Sequence, residues 1–166
     1  MTLSSASSPP PLRRRPAYTT VMTVAFGTRR RAPGRPPSSE DARRIPQVRR
    51  LVGARLRSFG LAAIADPMML VTSELVTNAL RHGVGGPVSV LLSCSRSGAR
   101  VIVDDGFPEH RPSVRALRLD AEGGRGLFLV ASMADAYHGA WGISSDNTRT
   151  WCTLSEVVPD GDGMTG

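Results

Sequence analysis

Residues 66–83, "DPMMLVTSELVTNALRHG", constrain the fold more than any other stretch, because they read as a helix that has to be covered. Met68, Met69, Leu70, Val71, Leu75, Val76, Ala79 and Leu80 fill so much of a 3.6-residue period that only a narrow polar strip is left. Asp66 can cap the start, Pro67 suits the first turn, and Gly83 can end the helix. Within the strip, Glu74, Asn78 and His82 follow one another at steps of four, which places them on one slowly drifting face. A carboxylate on so apolar a helix needs a partner. Two arrangements meet that need: a polar edge satisfied by Arg81 and ended by His82, or a trio turned toward a ligand.

The cover comes from the flanking segments. From Pro46 onward, Val48, Leu51, Val52, Leu56 and Phe59 keep a helical period with arginines on the other side and Gly60 as the stop. "PVSVLLSC" (87–94) and "ARVIVDD" (99–105) read as strands joined by the turn "SRSG", an antiparallel hairpin. "GRGLFLVASMADAY" opens on glycines and continues as an apolar helix, and "HGAWGIS" and "RTWCTLS" form a second hairpin around "SDN". Residues 107–123 between these units are too long for a tight turn and read as a lid or a disordered segment. The order helix, helix, strand pair, helix, strand pair predicts an α+β two-layer sandwich: a mixed, mostly antiparallel sheet covered on one face by helices. A doubly wound dinucleotide fold is excluded, since "GGRGLF" lacks the third glycine and no acidic residue ends a strand about 20 residues on.

Composition divides the chain. Residues 1–50 carry 11 arginines against Glu40 and Asp41, a charge of +9, whereas the remainder is slightly acidic. "SSASSPPPLRRRP" and "RRRAPGRPPSSED" can bury little, so residues 1–39 read as a mobile Arg/Pro/Ser-rich arm, 40–157 as the domain and 158–166 as a disordered tail. "TTVMTVAF" inside the arm has the composition of a strand. The arm's charge suits nucleic acid or acidic lipid, but with only Tyr18 and Phe26 as aromatics it has no specific nucleic-acid signature. Lysine is absent, which excludes Schiff-base and P-loop lysine chemistry. Cys94 and Cys152 stand far apart in apolar runs, giving no disulfide or zinc pattern and fitting a cytoplasmic location. No apolar run reaches the roughly 18 residues of a membrane span.

Two further stretches bear on the Glu74 helix. "VIVDDG" puts Asp104 and Gly106 at a strand end, where a carboxylate can accept a hydrogen bond from an amine and a glycine lets a flat ring approach the backbone. "GGRGL" puts Gly124 and Gly126 at a helix opening, whose free N–H groups favour phosphate, with Arg125 alongside. Each is common alone; their order after a Glu-x-x-x-Asn helix is not.

Over roughly residues 40–156, "SELVTNALRHG", "VIVDDG" and "EGGRGLFLVASMADAYHGAW" together resemble the histidine-kinase-like ATPase superfamily, the fold of gyrase B, MutL and histidine kinases. Within it they are most similar to small ATP-binding regulators related to anti-sigma-factor serine/threonine kinases. The resemblance implies ATP and Mg²⁺ as cofactors. It implies that Asn78 ligates the metal, Glu74 is the general base and His82 supports the helix end. It further implies that Asp104 accepts from the adenine amine beside Gly106, that Gly124, Arg125 and Gly126 hold phosphate, and that Thr148 lies by the adenine. The activity implied is phosphorylation of a small antagonist protein by a kinase that also binds a sigma factor; relatives are often homodimers. The other reading is a nucleotide-binding interaction module that regulates transcription without transferring phosphate. Position 108 is Pro where the motif often continues Asp-x-Gly-x-Gly, which stiffens the start of the lid.

Overall fold

The computed structural model describes residues 17–108 and 124–156. Elements follow the order β1 (Thr19–Thr28), α1 (Ser39–Ala42), α2 (Arg44–Ser58), a 3₁₀ turn (Ala62–Ile64), α3 (Ala65–His82), β2 (Gly86–Cys94), β3 (Gly98–Asp104), α4 (Gly124–Ala136), β4 (Ala140–Ile143) and β5 (Arg149–Ser155). The strands form one five-stranded sheet in the order β1-β2-β3-β5-β4, and every neighbouring pair is antiparallel. This is the α+β sandwich the sequence predicts, with antiparallel pairing throughout its described strands.

Strand alternation builds the core. Val88, Val90 and Leu92 on β2, Val101 and Val103 on β3, and Cys152 and Leu154 on β5 are buried on one face. Across from them lie Val48, Val52 and Leu56 of α2, and Met68, Val71, Leu75 and Val76 of α3, in the same buried cluster. α2 and α3 pack closely because residue 53 is glycine: a β-carbon there would stand 2.3 Å from the Met69 sulfur. Gly60, at φ +86°, ends α2 in a Schellman turn in which the Leu61 N–H donates to the Leu56 carbonyl at 2.9 Å.

Two expectations change. Asp66 does not cap α3, because the 3₁₀ turn already leads the chain into the helix from Ile64; Asp66 sits in the first turn and pairs with Arg57 at 2.6 Å. The arm does not extend to residue 39. β1 lies along β2 from Thr19↔Cys94 to Thr28↔Gly86, with a bulge between Thr20 and Met22, and Phe26 joins the core. Ser38 then caps α1 by accepting from the Asp41 N–H at 3.1 Å. The charge of this region hid its structure: the arginines flank a neutral strand. Residues 1–16, most of the 107–123 loop and the 158–166 tail lie outside the described residues.

Candidate nucleotide site

α3 leaves the sheet's helical face at the end where β3 finishes and β5 begins, and a narrow cleft forms there. Its walls are Leu75, Asn78 and Ala79 of α3, Val103 and Asp105 at the end of β3, and Asn147, Thr148 and Thr150 at the start of β5. Asn78 is half-buried between the buried Leu75 and Ala79, as the narrow polar strip requires. The Asp105 N–H donates to the Thr148 carbonyl at 3.1 Å and ties the two strand ends together. Thr148 is itself held by Asp146, whose Oδ1 accepts from the Thr148 N–H at 3.1 Å and from its hydroxyl at 2.9 Å. With Ser144 adding a third donor, these hydrogen bonds hold the Asp146 carboxyl at about 2. Asn147 takes the left-handed φ of +60° that closes this turn.

The two adjacent aspartates have different fates. Asp104 continues the parity of Arg100 and Ile102, away from the buried valines, and pairs with Arg149 at 2.8 Å. Its other oxygen accepts from the Gly106 N–H at 2.9 Å. Asp105 continues the parity of Val101 and Val103 and so lines the cleft. Burial pushes its carboxyl up, the Phe107 N–H pulling the other way and the Asp104 charge adding to the rise. The sequence resemblance implies Asp104 at the ligand; here it is Asp105 that lines the cleft, and Asp104 pairs outside it. Gly106 has φ +66° and open space around it, so the turn, and not ring clearance, is what requires glycine.

On the other side of Asn78, Glu74 reaches the opening of α4. A β-carbon on Gly126 would lie 2.6 Å from Glu74 Oε2, so the carboxylate and the helix start are in contact. Gly124 begins the same helix and Arg125 is exposed next to it. His82 does not line the cleft; it lies in a neighbouring groove with Thr77, Leu80, Arg81 and the Pro33–Pro37 segment. Burial and the Arg81 charge lower its pKa. Of the motif residues, then, Asn78 and Thr148 share the cleft, Glu74 meets Gly126, and Asp104 and His82 face elsewhere. Thr150 and Asn147 line the cleft with no motif to announce them.

The family model described as the histidine kinase-like ATPase domain matches residues 38–155. The chain belongs to that family. Membership of the histidine kinase-like ATPases implies ATP binding. No curated protein matches the chain. The ATPase match begins after β1, at residue 38. The cleft encloses only about 10 Å³, room for about one water, so a purine requires its walls to part. A larger cavity of about 890 Å³ lies on the open face of the sheet among Tyr18, Arg100, His138 and Trp151, and none of Glu74, Asn78, His82, Asp104, Gly106, Gly124, Arg125, Gly126 or Thr148 lines it. Among the described residues no group of three or more His, Cys, Asp or Glu side chains could hold a metal, and no helix is long and apolar enough to cross a membrane.

Proposed function

We propose that this protein is an ATP-dependent serine/threonine protein kinase of the anti-sigma-factor type, acting on a small antagonist protein and binding a sigma factor. The observation that carries the reading is the division of the site into two working parts along one helix. Asn78 faces a cleft with Asp105 and Thr148, a recognition end, while Glu74 meets the opening of α4, a phosphate end.

Asp105 would accept the hydrogen bond of the adenine amine; its desolvated position makes that contact strong and selective. Thr148, oriented by Asp146, offers a hydroxyl and a carbonyl on the opposite wall. The opening N–H groups of α4, with Gly124, Arg125 and Gly126, suit phosphate oxygens. Mg²⁺ fits a site with few protein ligands, because that ion keeps phosphate and water oxygens and takes one or two side chains; the Asn78 amide oxygen would be one. ATP supplies the phosphoryl group and the metal neutralises its charge. Glu74, beside the phosphate end, would take the proton of the incoming serine hydroxyl as general base.

The deciding experiment pairs a nucleotide titration, with and without Mg²⁺, with radiolabelled transfer from ATP to candidate antagonist proteins. Mg²⁺-dependent binding and transfer lost in Glu74→Gln support the kinase. Tight binding with no transfer to any bound partner would leave the regulatory, non-catalytic module in its place.

A further inference from the structure

β1 is the outermost strand of the sheet, paired with β2 along one side and with no other described strand along its outer edge. Its ten residues, "TTVMTVAFGT", include no charge and no proline, the usual means by which an edge strand is kept from pairing. The other edge, β4, is four residues long. Beside β1 runs a groove of about 310 Å³ whose lining includes Met22 and Val24 of the strand and Leu51, Ala54 and Arg55 of α2. Leu51 is 49% exposed at this groove, although it belongs to the helix's apolar series. Main-chain donors and acceptors therefore run alongside an apolar floor that repeats every second residue.

The surroundings carry an excess of positive charge. α2 holds five arginines and no acid, and Arg29, Arg30 and Arg31 follow β1 directly; Glu40 pairs with Arg29 and Asp66 with Arg57, while Arg55 lines the groove itself. Arg13–Arg15 precede it in the sequence. We propose that the β1 edge docks an extended segment of another protein, with apolar side chains at alternate positions and acidic residues at its ends, added as a sixth strand. Strand addition uses the main-chain edge for affinity and the groove for alternate side chains. The charges select the occupant. A second copy of this chain would bring arginine-flanked strands together in either direction, a like-charge arrangement that costs stability. Nucleic acid would match the charge but has no use for an apolar floor or an open amide edge, and no aromatic side chain lines the groove for base stacking.

The test uses the full chain and a fluorescein-labelled synthetic peptide, Val-Thr-Val-Thr-Val between two glutamates at each end. The same peptide with lysine ends and two versions N-methylated on odd or on even residues serve as controls. Saturable binding is expected, with slowed amide exchange in Met22–Val24. Only one of the two N-methylated peptides should lose binding, because a strand pairs through one edge. Leu51→Glu and Arg55→Glu, both at exposed positions, should weaken binding at least about tenfold with unchanged melting temperature. Any of four results overturns the proposal: no saturable binding, equal binding of the lysine-ended peptide, equal binding of both N-methylated peptides, or indifference to the two substitutions. A concentration-dependent dimer abolished by Leu51→Glu, or duplex DNA displacing the peptide from a site the peptide does not protect, also overturns it.

Discussion

The carboxylate of Glu74 lies against the backbone of Gly126, so close that a β-carbon at position 126 would stand 2.6 Å from Oε2. Glu74 comes from the middle of α3 and Gly126 from the first turn of α4, so this contact joins the helix that walls the cleft to the opening of α4. The neighbour is the far end of a flexible side chain, so an added methyl group displaces it at small cost in stability. Gly126→Ala should therefore leave the melting temperature unchanged or slightly raised, since alanine is the better helix former by about 1 kcal/mol. Phosphoryl transfer should fall roughly 10²-fold, the effect of moving a positioned group by about 1 Å. Thermal melts and single-turnover transfer, run on the same preparation, check both halves.

Asp104→Asn and Asp105→Asn should separate cleanly. Asp104 pairs with a largely exposed arginine, so its loss should cost at most about 1 kcal/mol of stability and leave ATP affinity nearly unchanged. Asp105→Asn sets an amide donor where an acceptor is needed, a mismatch on the order of 1–3 kcal/mol, or roughly 5- to 150-fold in Kd. Titration of each variant with a fluorescent ATP analogue decides; the reverse order would return the adenine contact to Asp104.

The same aspartate gives a pH signature without nucleotide. Burial raises the Asp105 carboxyl above its unfolded value, so the folded state holds this proton more tightly. Its contribution to stability is complete below the ordinary carboxylate range and is lost as pH rises through the raised folded value. Asp105→Asn removes that loss. The nucleotide-free variant should be at least as stable as wild type near neutral pH, and the difference between the two should shrink in acid, as urea denaturation at a series of pH values would report.

Glu74→Gln and Asn78→Ala distinguish binding from chemistry. Asn78→Ala should lose Mg²⁺-dependent nucleotide binding, because it removes a donor from the cleft. Glu74→Gln should bind Mg·ATP nearly as wild type does and lose roughly 10²- to 10⁴-fold in transfer. Calorimetric titration and radiolabelled transfer read the two effects separately.

Removing residues 1–36 should damage the domain, since it takes away β1 and with it Phe26 from the core. Phe26→Ala alone should cost about 3 kcal/mol. Urea denaturation is the measurement; an unchanged midpoint for Phe26→Ala would mean that β1 adds nothing to the core.

The sequence alone determined the helix that carries Glu74 and Asn78, because an apolar period with one polar strip permits few other structures. It determined the α+β order of elements as well, since glycines and turn residues punctuate the alternating segments. It could not assign the cleft-facing aspartate. "RVIVDD" has apolar residues at three successive positions, so the strand's inward parity is read only by weighing Arg100 and Asp104 against Ala99, Val101 and Val103. The tertiary structure decided it by burying Val101 and Val103 beneath the helices, which carries Asp105 to the same side and leaves Asp104 to Arg149. "TTVMTVAF" had the composition of a strand, but that β1 belongs to the domain's sheet was hidden for a related reason. Its charged flanks dominate the local composition, whereas its place depends on pairing with a strand far along the chain, from Thr19 opposite Cys94 at one end to Thr28 opposite Gly86 at the other. Local chemistry sets which helices and strands can form; the side each residue faces is set by contacts between segments far apart in the chain.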